Sequence, residues 1–168
     1  GFISQSGSQA TGVTLEAYAY GIKVSKCISM GNGLVVDTHD LIDYLAQDDE
    51  TTVIGMYLEG LRDPSRFFKS LRDACKKKPV LIWKVGQTED AARASEAHSG
   101  TSNLRQELWK DLLVRCGAIE VNSLEELIDT TKAIGSLPPA IGVNAGLFAI
   151  SGGHSTEMAN VFSVCGFR

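Results

Sequence analysis

His98 stands in the segment ASEAHSGT, Ala94 to Thr101, with small or polar residues on both sides and nothing apolar for its ring to pack against. An imidazole so placed is suited to nucleophilic work. One ring nitrogen, unprotonated, attacks; the other, hydrogen-bonded to a carboxylate, fixes the tautomer and steadies the positive ring. Glu59, in YLEG, closes an apolar run and is a candidate for that carboxylate. Two further segments repeat one pattern of apolar run, Ser/Gly turn and helix start. They are SQSGS, with Ser6, Gly7 and Ser8, and SGGHS, with Ser151, Gly152 and Gly153. At a helix start, free backbone N–H groups and the helix dipole face outward and make an anion site that needs no metal. A histidine nucleophile, a carboxylate brace and two oxyanion cradles together describe phosphohistidine chemistry. Taken singly, each feature is ordinary turn or loop chemistry. His39 and His154 read as first-turn helix residues with structural roles.

These residues need elements to hold them. Short apolar, β-branched runs alternate with longer amphipathic ones, as in a parallel sheet covered by helices on both faces. The runs at residues 1–4, 23–30, 51–59, 79–86 and 118–121 read as strands. Helices are expected from about Ser8 to Tyr20, from Asp37 or Thr38, from Asp63 or Pro64, and over NLRQELWKDLLVRC up to Gly117. A last one opens with a capping box, Ser123 to Glu126. Right-handed crossovers then make a flavodoxin-like, doubly wound α/β sheet the natural arrangement. In such sheets ligands sit beyond the carboxyl ends of the strands, where the loops of Ser6–Ser8, Glu59 and His98 fall.

The texture changes after residue 136. A Pro/Gly-rich linker precedes LFAIS, which reads as a sixth strand, and TEMANVFSVCG, which reads as a helix. Residues 1–136 are therefore expected to form one domain. Residues 137–168 would hold the linker and a strand–helix fragment of a second. The chain opens at GFISQSG without Met and stops at VFSVCGFR, so it is read as a piece of a larger protein.

Composition narrows the function classes. Of 168 residues 43% are hydrophobic, enough for a real core, and the formal net charge of −4 argues against non-specific nucleic-acid binding. The basic run Lys76–Lys78 reads as a solvated helix C-terminus. No apolar stretch approaches the ~20 residues of a membrane span. Cys27, Cys75, Cys116 and Cys165 show no CxxC or Cys/His ligand spacing. They read as reduced, mostly buried thiols of a cytoplasmic protein, with no metal site. A receiver-like phosphoacceptor fits badly, because the first strand ends in Ser and Gly rather than paired acids. SQSGS also lacks the Gly-x-Ser-x-Gly elbow of a serine hydrolase.

In their order and spacing, five segments resemble the NDP-forming acyl-CoA synthetases, relatives of succinyl-CoA synthetase. They are ISQSGS, VSKCISMGNGLVVDTHDLIDYLAQDDET, IGMYLEGLRDPSRF, KPVLIWKVGQTEDAARASEAHSG and AISGGHSTEMAN. The resemblance implies that His98 is the phosphorylated histidine and Glu59 its positioning carboxylate. It also implies that Ser6–Gly7–Ser8 and Ser151–Gly152–Gly153 are the phosphate cradles. It further implies an exchange of acyl-CoA, phosphate and NDP for carboxylic acid, CoA and NTP. CoA and Mg-ATP/ADP would be used by the intact enzyme, none of them held tightly here. A CoA-binding domain and an ATP-grasp domain would lie in the same or a partner chain, with an oligomer expected. The sequence departs from the family pattern after the histidine, at TSNLRQELW, and at His154. A second reading keeps the fold without turnover, as an acyl-CoA- or anion-sensing module like those fused to acetyltransferase domains.

Overall fold

Five short runs become strands: β1 (Phe2–Ser4), β2 (Cys27–Ser29), β3 (Ile54–Leu58), β4 (Val80–Lys84) and β5 (Ile119–Val121). Every neighbouring pair is parallel and the order across the sheet is β2-β1-β3-β4-β5. That is the doubly wound, flavodoxin-like order. The computed structural model describes residues 1–88, 90–91, 93, 105–138 and 141–167, and His98 lies outside them. The chain divides into two units, Gly1–Ser136 and Leu137–Arg168.

The sheet is covered on both faces by α1 (Gly7–Ala19), α2 (Thr38–Gln47), α3 (Pro64–Cys75), α4 (Gln106–Cys116) and α5 (Leu124–Ser136). Because side chains alternate along a strand, β1, β3 and β4 each feed two cores. Ile54, Met56, Leu58, Val80 and Ile82 pack with Ile42 and Leu45 of α2, Phe67 and Leu71 of α3, and Trp109 and Leu113 of α4. On the opposite face Phe2, Tyr57, Leu81 and Val121 pack with Val13 of α1 and Leu127 of α5. Burial on two sides explains why IGMYL and VLIW read as unbroken apolar runs.

Helix ends follow local chemistry. Asp37 and Asp40 form a reciprocal capping box at the start of α2. Asp63 accepts from the Arg66 amide at 3.0 Å, with Pro64 at the first helical position of α3. Gly117 ends α4 in the left-handed region, φ +80°. An L side chain there costs roughly 1–2 kcal/mol, so Gly117→Ala should lower unfolding stability by about that amount in urea titrations. The box expected at α5 is half formed. The Glu126 amide donates to Ser123 Oγ at 3.1 Å, but the Glu126 carboxylate accepts from the amide and side chain of Asn122 instead.

Other expectations are corrected. The second strand is shorter than residues 23–30, because β1 offers it only three residues to pair with. Ser25 and Lys26 make side-chain bonds instead, to Thr51 and to Asp48 and Glu50. Lys78 is not a solvated end: its ammonium donates to the Leu45 and Asp48 carbonyls at the close of α2. The four thiols are free but not mostly buried, since Cys27 and Cys165 are exposed and Cys75 is half-buried.

In the second unit α6 (Gly152–Val164) forms as expected and none of its residues is buried. The sixth strand at residues 147–151 does not form, for a strand needs a neighbour's ladder and none is supplied there. Among the described residues no helix is long and apolar enough to cross a membrane.

Candidate active site at the carboxyl edge of the sheet

Ser4 is the last residue of β1, and the chain turns through Gln5 and Ser6 into α1. Ser4 Oγ donates to the Ser6 carbonyl at 2.6 Å and accepts from the Ser6 amide at 3.1 Å, which fixes the turn. Ser6 is the N-cap, yet its side chain accepts no backbone amide of the first turn. Its hydroxyl pairs with that of Ser8 at 3.0 Å instead. Ser8 and Gly7 are exposed. The first-turn amides of α1 thus keep their hydrogen-bonding capacity for an external acceptor, as an anion cradle requires.

Glu59 follows β3 at the same edge and is only 5% exposed. The two features are joined by Gln5, 6% exposed, which reaches across from the β1 turn. Its Oε1 accepts from the amides of Glu59, at 2.5 Å, and Gly60, at 3.2 Å; its Nε2 donates to the Gly60 carbonyl at 2.9 Å. The Gln5 amide donates to the Tyr57 carbonyl at 3.2 Å. From the other side comes Lys84, the last residue of β4, 8% exposed. Its ammonium donates to the Glu59 carbonyl at 2.8 Å and to the Val85 carbonyl. Gly86, at φ +77°, makes the turn that follows, a backbone shape favouring glycine.

Burial pushes the Lys84 ammonium down to about 8, while the carboxylates of Glu59 and Glu120 act to hold the proton. Burial and the nearby Glu59 charge push the Tyr57 phenol up. Beyond Lys84 a polar chain continues. Gln87 Nε2 donates to the Lys84 carbonyl and to Glu120 Oε1, and Trp109 Nε1 donates to the same Glu120 oxygen at 3.0 Å. The carboxyl edge between β1, β3 and β4 is therefore a pre-ordered set of fixed dipoles and charges.

The lowered lysine has a consequence for stability. Between pH 8 and its ordinary 10.5 the unfolded chain carries a proton that the folded chain has lost, so this group adds stability as pH rises. The wild-type-minus-Lys84→Met difference in unfolding free energy should climb from pH 8 to 10. Taking the difference cancels the contributions of Tyr57, Cys75 and Cys116, all pushed up by burial. A flat difference would mean that the folded chain holds the Lys84 proton as tightly as the unfolded one, contrary to the effect of burial.

Of the sequence-predicted residues, Ser6, Gly7, Ser8 and Glu59 share this edge. Ser151 lies in the second unit, where its side chain caps α6 by accepting the His154 amide at 3.3 Å; Gly152 and Gly153 are exposed in the first turn. His39 is buried at 5% exposure, its Nδ1 3.8 Å from Asp37 and its Nε2 3.5 Å from Asp40. Sequence reasoning missed Gln5 and Lys84. A lysine ending a strand as apolar as VLIWK was the available signal, since such a strand end faces the ligand side. Gln5 gave none beyond its place between two serines. A cleft of about 300 Å³ opens elsewhere, beside Phe2, Val53, Leu127 and Lys132, at the amino ends of β1 and β3. Among the described residues no three His, Cys, Asp or Glu side chains gather to hold a metal ion.

A serine–glycine helix start and a buried glutamate at the carboxyl edge of the sheet place the chain among doubly wound α/β domains. The chain belongs to the succinyl-CoA ligase like flavodoxin domain family, which matches residues 1–134. It is 35% identical over 128 residues to acetate–CoA ligase [ADP-forming] I of Archaeoglobus fulgidus, covering 76% of this chain and 19% of that protein. It is 37% identical over 138 residues to 4-hydroxybutyrate–CoA ligase [ADP-forming] of Nitrosopumilus maritimus, covering 81% of this chain and 20% of that one. Among solved structures it is similar to the dinucleotide-forming acetyl-coenzyme A synthetase 1 of Ca. Korarchaeum cryptofilum in complex with phosphate and ADP. That match has a TM-score of 0.86 and 29% identity, over 99% of this chain and 36% of the other. The chain thus spans about a fifth of these curated relatives.

Proposed function

We propose that this chain is the phosphohistidine-bearing part of an NDP-forming acyl-CoA synthetase, an acid–thiol ligase acting in the cytoplasm. The single observation that carries the reading is the joining of the α1 anion cradle and the buried Glu59 at one sheet edge through Gln5. Phosphate held by the free amides of Gly7 and Ser8 attacks the acyl carbonyl of acyl-CoA. The thiolate leaves as CoA and an acyl phosphate forms. The unprotonated nitrogen of His98 then attacks phosphorus and releases the carboxylic acid. Glu59, accepting from the other ring nitrogen, stabilises the imidazolium-like phosphohistidine. Transfer to NDP regenerates His98 and forms NTP.

Mg-nucleotide and CoA would be held by an ATP-grasp domain and a CoA-binding domain, in the same or a partner chain of an oligomer. Ser151, Gly152 and Gly153 would form a second phosphate cradle.

The test is labelling of the complete enzyme with Mg-[γ-32P]ATP, followed by peptide mapping at alkaline pH, with acid treatment of a parallel sample. The expected result is an acid-labile, base-stable phosphate on His98. A competent preparation with no label on that residue would defeat the proposal.

A further inference from the structure

Gln5 is a buried amide with both ends engaged, and among the described residues its side-chain bonds all go to one dipeptide, Glu59–Gly60. Its main chain is the turn that presents Ser6, Gly7 and Ser8, and its own amide donates to Tyr57, two residues before Glu59. Three chain positions that the reaction needs in register are thereby tied through one side chain: the start of α1, the end of β3 and the glutamate. Parallel strands β1 and β3 are paired only as far as Ser4 and Tyr57, so the ladder stops short of both groups. Beyond that point Gln5 takes over the pairing. Shielded from water, such bonds are stiffer than exposed ones.

We propose that Gln5 is a positioning residue that couples the phosphate cradle at α1 to Glu59, holding the carboxylate at the distance from bound phosphate that attack by His98 requires. The inference rests on the functional reading above and deepens it. Only an amide does this work fully. A carboxylate accepts from the two amides but cannot donate to the Gly60 carbonyl, and a thioether of similar length does neither. Gln5→Met takes away the bonds that Gln5 makes to the buried amides of Glu59 and Gly60 and to the Gly60 carbonyl. The loop then shifts to satisfy them, and Glu59 moves with it.

The experiment uses the complete enzyme with acetyl-CoA and 32P-labelled inorganic phosphate, following label on His98 and steady-state ADP-dependent turnover. Wild type, Gln5→Met, Gln5→Glu, Glu59→Gln and the Gln5→Met/Glu59→Gln double variant are compared, with circular dichroism as a folding control. Gln5→Met is expected to lower kcat by about 30-fold and raise the KM for phosphate, leaving the KM for ADP unchanged, as loss of an orienting group does. The double variant should fall within about two-fold of Glu59→Gln alone, because both changes remove the same function. Gln5→Glu should gain on wild type as pH falls from 8 to 6, since the protonated acid regains a donor. It also serves as the second variant if Gln5→Met fails to fold.

Full activity in Gln5→Met, or fully multiplicative losses in the double variant, would overturn the coupling. If wild type labels on His98 and Glu59→Gln does not, while Gln5→Met matches wild type, this inference alone fails. Absence of label on wild-type His98 defeats the functional reading and takes the coupling with it.

Discussion

Replacing His98 with asparagine is expected to remove phosphoryl transfer altogether, a loss of at least about 10³-fold in turnover. Asparagine keeps a polar side chain but has no nitrogen lone pair basic enough to form a phosphoramidate. In the proposed reaction one nucleophile serves both directions, so label from phosphate with acyl-CoA and label from Mg-ATP should disappear together. Glu59→Gln should behave differently. The main chain at residue 59 keeps its bonds with Gln5 and Lys84, but the amide side chain brings no charge to offset the developing imidazolium. Phosphate-supported labelling should fall about 10²-fold, within the usual range for an oriented carboxylate, while ATP-supported labelling falls less. The second site would have its own surroundings, and an equal loss from both donors would argue that Glu59 merely supports the fold. Quench-flow with each labelled donor separates the two outcomes.

The largest effect on stability is expected at Phe67. Its ring, 1% exposed, meets Phe68 edge-on at 5.1 Å between centroids and stacks on Trp109 at 6.1 Å. These three rings lock α3 to α4 over the face of β4. Phe67→Ala removes a whole ring from a site closed by helix and sheet, so a cost of about 3–5 kcal/mol is expected. Urea unfolding at pH 7 measures it directly. The loss should also reach function, because Trp109 leaves its place against Phe67 while still donating to Glu120. That glutamate is one of the two carboxylates acting on Lys84. Phe67→Leu, which refills most of the volume, should recover both properties; recovered stability without activity would sever the link from core to site.

The doubly wound order was legible because it follows from patterns that survive local noise. VLIWK and IGMYL are apolar on both faces, and only a strand covered twice can be. Gly117 and Asp63–Pro64 marked helix ends through backbone geometry, which neighbours cannot readily override. What failed depended on partners. The length of β2 is set by β1, not by the β-branched run itself, and residues 147–151 have apolar residues without a ladder to join. Ser123–Glu126 kept one arm of its box because Asn122 competed for the other. At the site, the serine–glycine turn and Glu59 stood out by residue type at a strand end. Gln5 did not, because its role exists only once β3 lies beside β1. His98 was singled out by its surroundings and falls outside the described residues.

The outermost strands are β2 and β5, each three residues long, while the two five-residue strands lie between neighbours. A sheet built this way exposes very little open ladder. The segments best able to stack into cross-β assemblies, IGMYL and VLIWK, have both flanks taken, and a recruiting chain would find only a stub to pair with. Growth of the sheet by strand addition is therefore disfavoured, leaving the β-framework unextended.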